Sequence, residues 1–359
     1  MAEQYVKDVC KRLPKLELHA HLNGSISSST MRKLVERYRQ TLKQSSSDFS
    51  VTHGWTTTIH KGNKRTLKEC FAMFKIIHTV VCDEEAVTMV ARDVVCDFAA
   101  DGIIYLELRS TPRCNPSTGM TKISYIEAVW KGVEQAVAES NFSIDVRLLL
   151  SIDRSRGAAD ALDTVELAKE YRKSSPTNVV GIDFSGNPEV GNVRELLPAL
   201  KYAKESGLKV SIHLAEVPDV NNETSLLLSL PPDRIGHGTF LLPSNGGTIE
   251  NMELVTNYKI PIELCLTSNV KCHTVPSYDQ HQFGFWINRA HPIVICTDDK
   301  GIFSTTLSEE YQVTAQTFGL SISDIRELSK QAVDYVFDED LKTKLREKLE
   351  SDGIKSRPH

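Results

Sequence analysis

The sequence predicts an α/β chain folded as a (β/α)8 TIM barrel, with a helical insertion after the first strand and extra helices near the C-terminus. Eight short apolar or β-branched runs are spaced along the chain, helical patterns lie between them, and distinctive polar residues fall at the C-terminal ends of the runs. Strands that read as nearly continuous apolar stretches and alternate with helices form parallel sheets covered on their outer side. Eight such units close into a barrel. A chain of 359 residues fits one large α/β barrel as well as two ordinary domains. With no internal repeat, residues 1–359 are expected to form a single barrel domain.

Taken in order, Met1 to Leu13 mixes charged and apolar positions and lacks the apolar core of a signal peptide. The expected strands are Lys15–Leu22, Ile103–Ser110, Asp145–Asp153, Val179–Gly186, Lys209–Glu216, Arg234–Phe240, Ile260–Asn269 and Pro292–Asp299. Asn23-Gly24 ends the first of them, and Ser25 to Ser29 supply N-caps for a helix from Thr30. The stretch from Gly24 to Gly102 is too long for one crossover. It reads as helices at Thr30–Lys43, Thr66–Val81 and Glu84–Ala100, with a mobile loop rich in Ser, Thr and Gly over Gln44–Asn63. Because it leaves the C-terminal end of a barrel strand, where such barrels do their chemistry, residues 24–102 are expected to form a lid and specificity region. Later helices are expected at Tyr125–Ser140, with Ile126, Val129, Trp130, Val133 and Val137 on one stripe, and at Ala158–Lys173, Val193–Ser206 and Ile249–Tyr258. Leu307–Phe318, Ser321–Phe337 and Glu339–Leu349 pack outside the barrel, and Ser351 to His359 fray.

Composition excludes several function classes. Hydrophobic residues make up 40% of the chain, charged residues 25%, and the net charge is −5, as in ordinary soluble globular proteins. No run of lysines and arginines suits a phosphate backbone, so a nucleic acid polymer is not an expected partner. No segment approaches the roughly 20 apolar residues of a membrane helix. The eight cysteines include no Cys-x-x-Cys pair, and several sit in apolar runs. Buried free thiols are therefore expected rather than a disulfide framework. The expected protein is a cytosolic monomer acting on a small molecule.

The chemistry begins at Lys15-Leu16-Glu17-Leu18-His19-Ala20-His21-Leu22-Asn23-Gly24. Residues two apart on a strand share a face, so His19 and His21 project side by side and can share a metal ion. Downstream, His213 and Glu216 close strand five, His237 lies in strand six, and Asp298 and Asp299 close strand eight. Singly, each has a bland explanation: a hydrogen-bonded core histidine at His213, a tight turn at Gly236-His237-Gly238, a helix cap at Asp298-Asp299. Together they fall at one end of the expected barrel, where strand ends converge on one pocket. Three imidazoles and a carboxylate suit zinc, which lowers the pKa of a bound water toward about 7 and so supplies a nucleophile at neutral pH. His53, His60, His273, His291 and His359 read as loop residues, with His78 and His281 unassigned between the two classes.

The segments ELHAHLNG, SIHLAE, RIGHG and CTDD, in this order and spacing, resemble the signature set of the adenosine and AMP deaminase family of zinc hydrolases, from about Leu13 to Phe337. The resemblance implies that His19, His21, His213 and Asp298 bind one Zn2+ per chain. It implies that Glu216 donates a proton to the purine ring, that His237 orients or deprotonates the attacking water, and that Asp299 and the Gly186 N–H hold the purine. His21 also lies against the substrate. Hydrolytic deamination at C6 needs a nucleophile, a proton for the ring nitrogen and a group near the water, and a carboxyl acts as the acid if a dry pocket raises its pKa. The carboxylated lysine that bridges two metals in related barrels has no counterpart in Asp183-Phe184-Ser185-Gly186, so one metal is expected. The His-x-Glu and Pro-Cys-x-x-Cys signature of polynucleotide deaminases is absent.

Asn23 bears on the choice of substrate. Ordinary members of the family carry an aspartate there, suited to a nucleoside 5′-hydroxyl. A carboxylate would repel a 5′-phosphate, at about 4 kcal/mol for unit charges 4 Å apart at an effective dielectric of 20. With CLTSNVK on strand seven and FKIIH in the insertion, the chain is similar to the branch of the family that acts on N6-methyl-AMP, which implies a purine mononucleotide substrate, conversion to IMP and methylamine, and a role in purine salvage. His78 and Thr79 are the expected phosphate contacts. The alternatives are an adenosine deaminase acting on the nucleoside, with Asn23 accepting from the 5′-hydroxyl, and a catalytically inactive nucleotide-binding barrel.

Overall fold

The computed structural model describes residues 2–44, 66–139, 143–175 and 178–355. Apart from Gln44, the expected Gln44–Asn63 loop lies outside the described residues, as do His53, His60 and the last four residues. Eight parallel strands follow one another around a TIM barrel: β1 (Lys15–His21), β2 (Ile103–Ser110), β3 (Asp145–Asp153), β4 (Val179–Ser185), β5 (Lys209–Leu214), β6 (Arg234–His237), β7 (Ile262–Leu264) and β8 (Ile293–Ile295). The ring closes just past β8, where Ala20 bridges to Asp298. There the His21 N–H donates to Asp298 O at 3.0 Å and the Asp298 N–H to His19 O at 2.9 Å.

The first five strands match expectation within two residues at each end. The last three are shorter. The expected strand Ile260–Asn269 is a three-residue strand followed by a buried helix, Leu266–Lys271. Leu266 to Val270 are all buried, and a short buried apolar run has no periodicity that separates strand from helix. The expected strand Arg234–Phe240 ends at His237, whose φ of +62° turns the chain out of extended backbone, and the expected Pro292–Asp299 keeps regular pairing only over Ile293–Ile295, with a single further bridge at Asp298, where φ is +60°.

The helix Leu67–Val80 of the insertion starts at a capping box, with the Glu69 N–H donating to the Thr66 hydroxyl and the Thr66 N–H to the Glu69 carboxylate. It buries Cys70, Met73, Ile77 and Val80, a spacing of three and four that makes one stripe. Glu84–Ala100, N-capped by Asp83, packs tightly on Lys122–Glu139, since a Cβ at Gly132 would lie 2.4 Å from Thr88 O. In Lys122–Glu139 the buried stripe includes Ile126, Val129 and Val133 but not Val137, which is exposed.

The chain also forms helices at Ala2–Arg12, Asn221–Leu228 and Phe283–Ile287 that the pattern did not suggest, and Lys342–Lys355 extends past the expected fraying point. All eight cysteines are free. No described helix is long and apolar enough to cross a membrane.

Candidate active site

At the C-terminal mouth of the barrel, His19, His21, His213, His237, Glu216, Asp298 and Asp299 meet as the strand ends predicted. His21 Nε2 approaches His213 Nε2 to 3.1 Å. Asp298 Oδ1 lies 3.3 Å from His21 Nε2 and 3.4 Å from His19 Nε2, and Asp298 Oδ2 lies 4.0 Å from His237 Nε2. Ligand atoms of His19, His213, His237 and Asp298 all lie within 4.8 Å of one another, a His3Asp group that could hold a metal ion. His19 Nε2 and His237 Nε2 are buried without a hydrogen-bond partner among the described residues. An orphaned imidazole nitrogen is costly unless something occupies the space it faces.

Beneath this ring lies a layer of buried charge. His19 Nδ1 donates to Glu263 Oε2 at 2.6 Å, which leaves its Nε2 lone pair aimed into the cluster. Glu263 also accepts from Arg109 at 2.9 Å, from Arg234 at 2.6 Å and from Ser211 at 3.0 Å. Arg109 reaches on to Asp183 at 2.9 Å, and Asp183 Oδ1 faces His213 Nδ1 at 3.2 Å. Glu263, Arg109, Arg234 and Asp183 are fully buried, and each finds an opposite charge, as buried charges must. Gly236 makes room for the arrangement, because a Cβ there would sit 2.9 Å from His19 Cε1.

The acids around the pocket are tuned apart. Burial pushes Glu216 up to about 7, with Asp298 adding to the rise. Burial first, and then the neighbouring charge of Asp298, holds Asp299 well above the ordinary carboxyl range. Burial alone would raise Asp298, but the imidazoles of His19, His237 and His21 around it hold it well below that range. Burial brings His21 down to about 3 and His237 well below its usual value, so both imidazoles are neutral. Two carboxyls pushed up thus stand beside one held down, the separation expected of acid and ligand roles. Asp299 also explains Gly24: a Cβ at that position would lie 1.6 Å from Asp299 Oδ1.

The pocket over these groups is lined by His21, Asn23, Gly186, His213, Glu216, Asp298 and Asp299 from the barrel and by Leu67, Cys70, Phe71, Phe74 and His78 from the insertion. Gly186 has φ of +103°, and a side chain there would meet Asp153 Oδ1 at 2.7 Å. Thr79 does not reach the pocket, because its hydroxyl donates back to Lys75 O along its own helix. His78 does reach it. Desolvation against the wall, and after it the charges of Arg113 and Arg156, lower its pKa even though its ring edge is open at the mouth. A wider groove of about 780 Å3 between Glu84–Ala100 and Lys122–Glu139 is lined largely by surface charges such as Arg37, Asp83, Glu85 and Arg92. It brings no comparable set of catalytic groups together.

Pattern reasoning missed Glu263, Arg109, Tyr125, Asn269 and His281. A buried acid or arginine within an apolar strand, as in Ile262-Glu263-Leu264, was the available signal for the first two. Tyr125 shows itself only in three dimensions: its hydroxyl receives Asn23 Nδ2 at 3.3 Å and lies 2.7 Å from Ser110 Oγ, while Asn23 Oδ1 is buried without a partner.

The adenosine deaminase family profile matches residues 14–352. The chain is 52% identical over 330 residues to the N6-methyl-AMP deaminase of Mus musculus, covering 92% of this chain and 89% of that protein. Among solved structures, it is similar to Arabidopsis ADAL complexed with IMP, at 39% identity and a TM-score of 0.87, covering 99% of this chain and 100% of the other. It is likewise similar to Arabidopsis ADAL complexed with GMP, at 40% identity and a TM-score of 0.86, covering 97% and 98%.

Proposed function

The chain belongs to the adenosine deaminase family, and from that premise we propose that it hydrolyses N6-methyl-AMP to IMP and methylamine, removing the 6-amino or N6-alkylamino group of a purine mononucleotide. The observation that carries this proposal is the pairing of a His3Asp cluster with Glu216, a carboxyl that burial holds up to about 7 in the same pocket. Similarity to N6-methyl-AMP deaminases along almost the whole chain supports the choice of substrate.

We assign the metal to His19, His21, His213 and Asp298, and the ion to one zinc per chain. Ligands about 2.0–2.1 Å from one ion at tetrahedral angles stand about 3.3–3.4 Å apart. The separations of 3.1, 3.3 and 3.4 Å among these four side chains fit that spacing. When bound, the metal activates the water that attacks C6. Glu216, held up to about 7, is protonated in a large fraction of molecules at neutral pH and delivers that proton to the ring nitrogen as charge develops there. Asp299, whose carboxyl burial and Asp298 push up, hydrogen-bonds a second ring nitrogen, with the Gly186 N–H beside it. Phe71 and Phe74 line the pocket beside the base and help exclude water. At the other end, Asn23, His78, Ser110 and Thr111 line the path of the 5′ group, and the charges of Arg113 and Arg156 favour a phosphate there. The eight free thiols suit a reducing compartment, the cytosol.

One observation favours the nucleoside. Asn23 lines the pocket and its Oδ1 has no hydrogen-bond partner among the described residues, an unused acceptor that suits a 5′-hydroxyl. Turned about its last bond, the same amide accepts from Tyr125 at Oδ1 and offers Nδ2 to a phosphate. A panel of adenosine, AMP, N6-methyladenosine and N6-methyl-AMP decides between them. The highest kcat/KM is expected for N6-methyl-AMP, and faster turnover of either nucleoside would replace this proposal with the second.

A further inference from the structure

We propose that Asn269 and His281 are positioning residues that fix the tautomer of His237, so that its Nε2 carries the ring proton and faces the reacting centre as a hydrogen-bond donor. The inference rests on the deaminase function proposed above.

One group in the chain of contacts has a role beyond choice. The backbone N–H of Phe283, at the start of the helix Phe283–Ile287, can only donate, and it lies 3.0 Å from His281 Nδ1. His281 Nδ1 is therefore the bare nitrogen of that ring. His281 is buried, and burial brings its pKa down to about 3, so it carries one proton, on Nε2. That nitrogen lies 3.0 Å from Asn269 Oδ1 and donates to it. With its oxygen so occupied, Asn269 presents Nδ2 to His237 Nδ1 at 3.3 Å. An amide nitrogen donates and does not accept, so His237 Nδ1 is an acceptor and the proton of the neutral ring sits on Nε2. Each link polarises the next in one direction, from a peptide group to the imidazole in the pocket.

The surroundings hold this geometry rigidly. His237, Asn269 and His281 are all buried. Gln282 Nε2 donates to His237 O at 3.1 Å, pinning the backbone where φ is +62°. His237 Nε2 then points at Glu216 Oε1, 3.8 Å away, and Asp298 Oδ2, 4.0 Å away, with no direct partner.

Two consequences follow. A protonated Nε2 has no lone pair for a metal, so His237 leaves the ligand set, and His21, whose Nε2 approaches both His213 and Asp298, takes the third imidazole position. And His237 cannot accept a proton at Nε2 in its neutral form, so it holds the attacking water by donating to it rather than deprotonating it.

The test is the ring-nitrogen NMR spectrum of histidine-labelled protein, first without metal. The expected His237 signature in the wild type is a protonated Nε2 and a bare Nδ1; the opposite pattern would overturn the proposal. Asn269→Asp places an acceptor-only carboxylate between the two rings and should move the His237 proton to Nδ1. In the zinc-loaded protein that variant should keep its metal, change KM by less than about 2-fold, and lose kcat by a factor approaching the ~10⁴ seen elsewhere when a catalytic histidine is held in the wrong tautomer. His281→Gln can still donate to Asn269 Oδ1, so it should retain the wild-type signature and most of the turnover that His281→Leu loses. Unchanged kcat in an Asn269→Asp protein whose spectrum shows the moved proton would also overturn the proposal. The metal-free spectrum reports on the relay without reference to any substrate, and the four-substrate panel reports on the deaminase function without reference to the tautomer, so the two can fail separately.

Discussion

Strands β1 to β4 are seven to nine residues long, whereas β6, β7 and β8 have four, three and three. The long strands keep extended backbone to their ends. The short ones give way to left-handed residues at His237 and Asp298 and to the buried helix Leu266–Lys271, which carries Ser268 to Asp298 Oδ2 at 2.7 Å and Asn269 to His237. Longer pairing, shifted in register within β1–β2 and β3–β4, makes β2 to β4 chiefly a scaffold, while β1 adds His19 and His21 at its C-terminal end. In the other half, pairing ends early, and a strained backbone aims single side chains at the pocket, as strain at functional sites tends to do.

If that division is real, substitutions in the two halves should separate activity from stability. The largest effect on activity is expected for Asp298→Ala, which removes the carboxylate at the centre of the ligand spacing. Elemental analysis should show loss of the metal, and turnover should fall to background. Retention of about one zinc per chain would move Asp298 out of the ligand set.

Glu216→Gln should keep zinc and substrate affinity and lose about 10²-fold or more in kcat, the usual contribution of a general acid. The pH dependence follows from the same group. The acid works only when protonated and burial holds it up to about 7, so kcat/KM should fall as pH rises through about 7. The descending limb should vanish in the Gln variant, and a limb that persists there belongs to another group.

Asn23→Asp is nearly isosteric, so its effect is electrostatic. The ratio of kcat/KM for N6-methyl-AMP over N6-methyladenosine should drop by about a hundredfold through repulsion of the phosphate. An unchanged ratio at full zinc content would mean that Asn23 does not read the 5′ group. The smallest effect on turnover is expected in the scaffold half. Leu148→Ala, at a fully buried position of β3, should cost about 2–5 kcal/mol of stability in denaturant unfolding, while kcat per folded, metal-loaded chain stays within about 2-fold of wild type.

The same division explains what the sequence could disclose. His19 and His21 lie two apart on β1, so a period of two is enough to pair them even though the register to β2 shifts beside His19. The last three strands were read too long because Leu266 to Val270 are as apolar as a strand, and because nothing local foretells positive φ at His237 or Asp298. Glu263, Arg109 and Arg234 acquire partners only when the barrel closes and brings β2, β6 and β7 around His19. The Asn269–His281 relay joins side chains whose roles are set by hydrogen-bond direction, which sequence spacing does not carry. Thr79, expected as a phosphate contact, shares the helix with His78, but its hydroxyl turns back to its own backbone at Lys75 O.

The most direct test of the account is to identify what the zinc-loaded protein releases from N6-methyl-AMP. Hydrolysis at C6 with Glu216 as the acid predicts IMP and methylamine in equal amounts, with oxygen from labelled water at C6 of the purine. Release of AMP, or no product from protein carrying one zinc per chain, would contradict it.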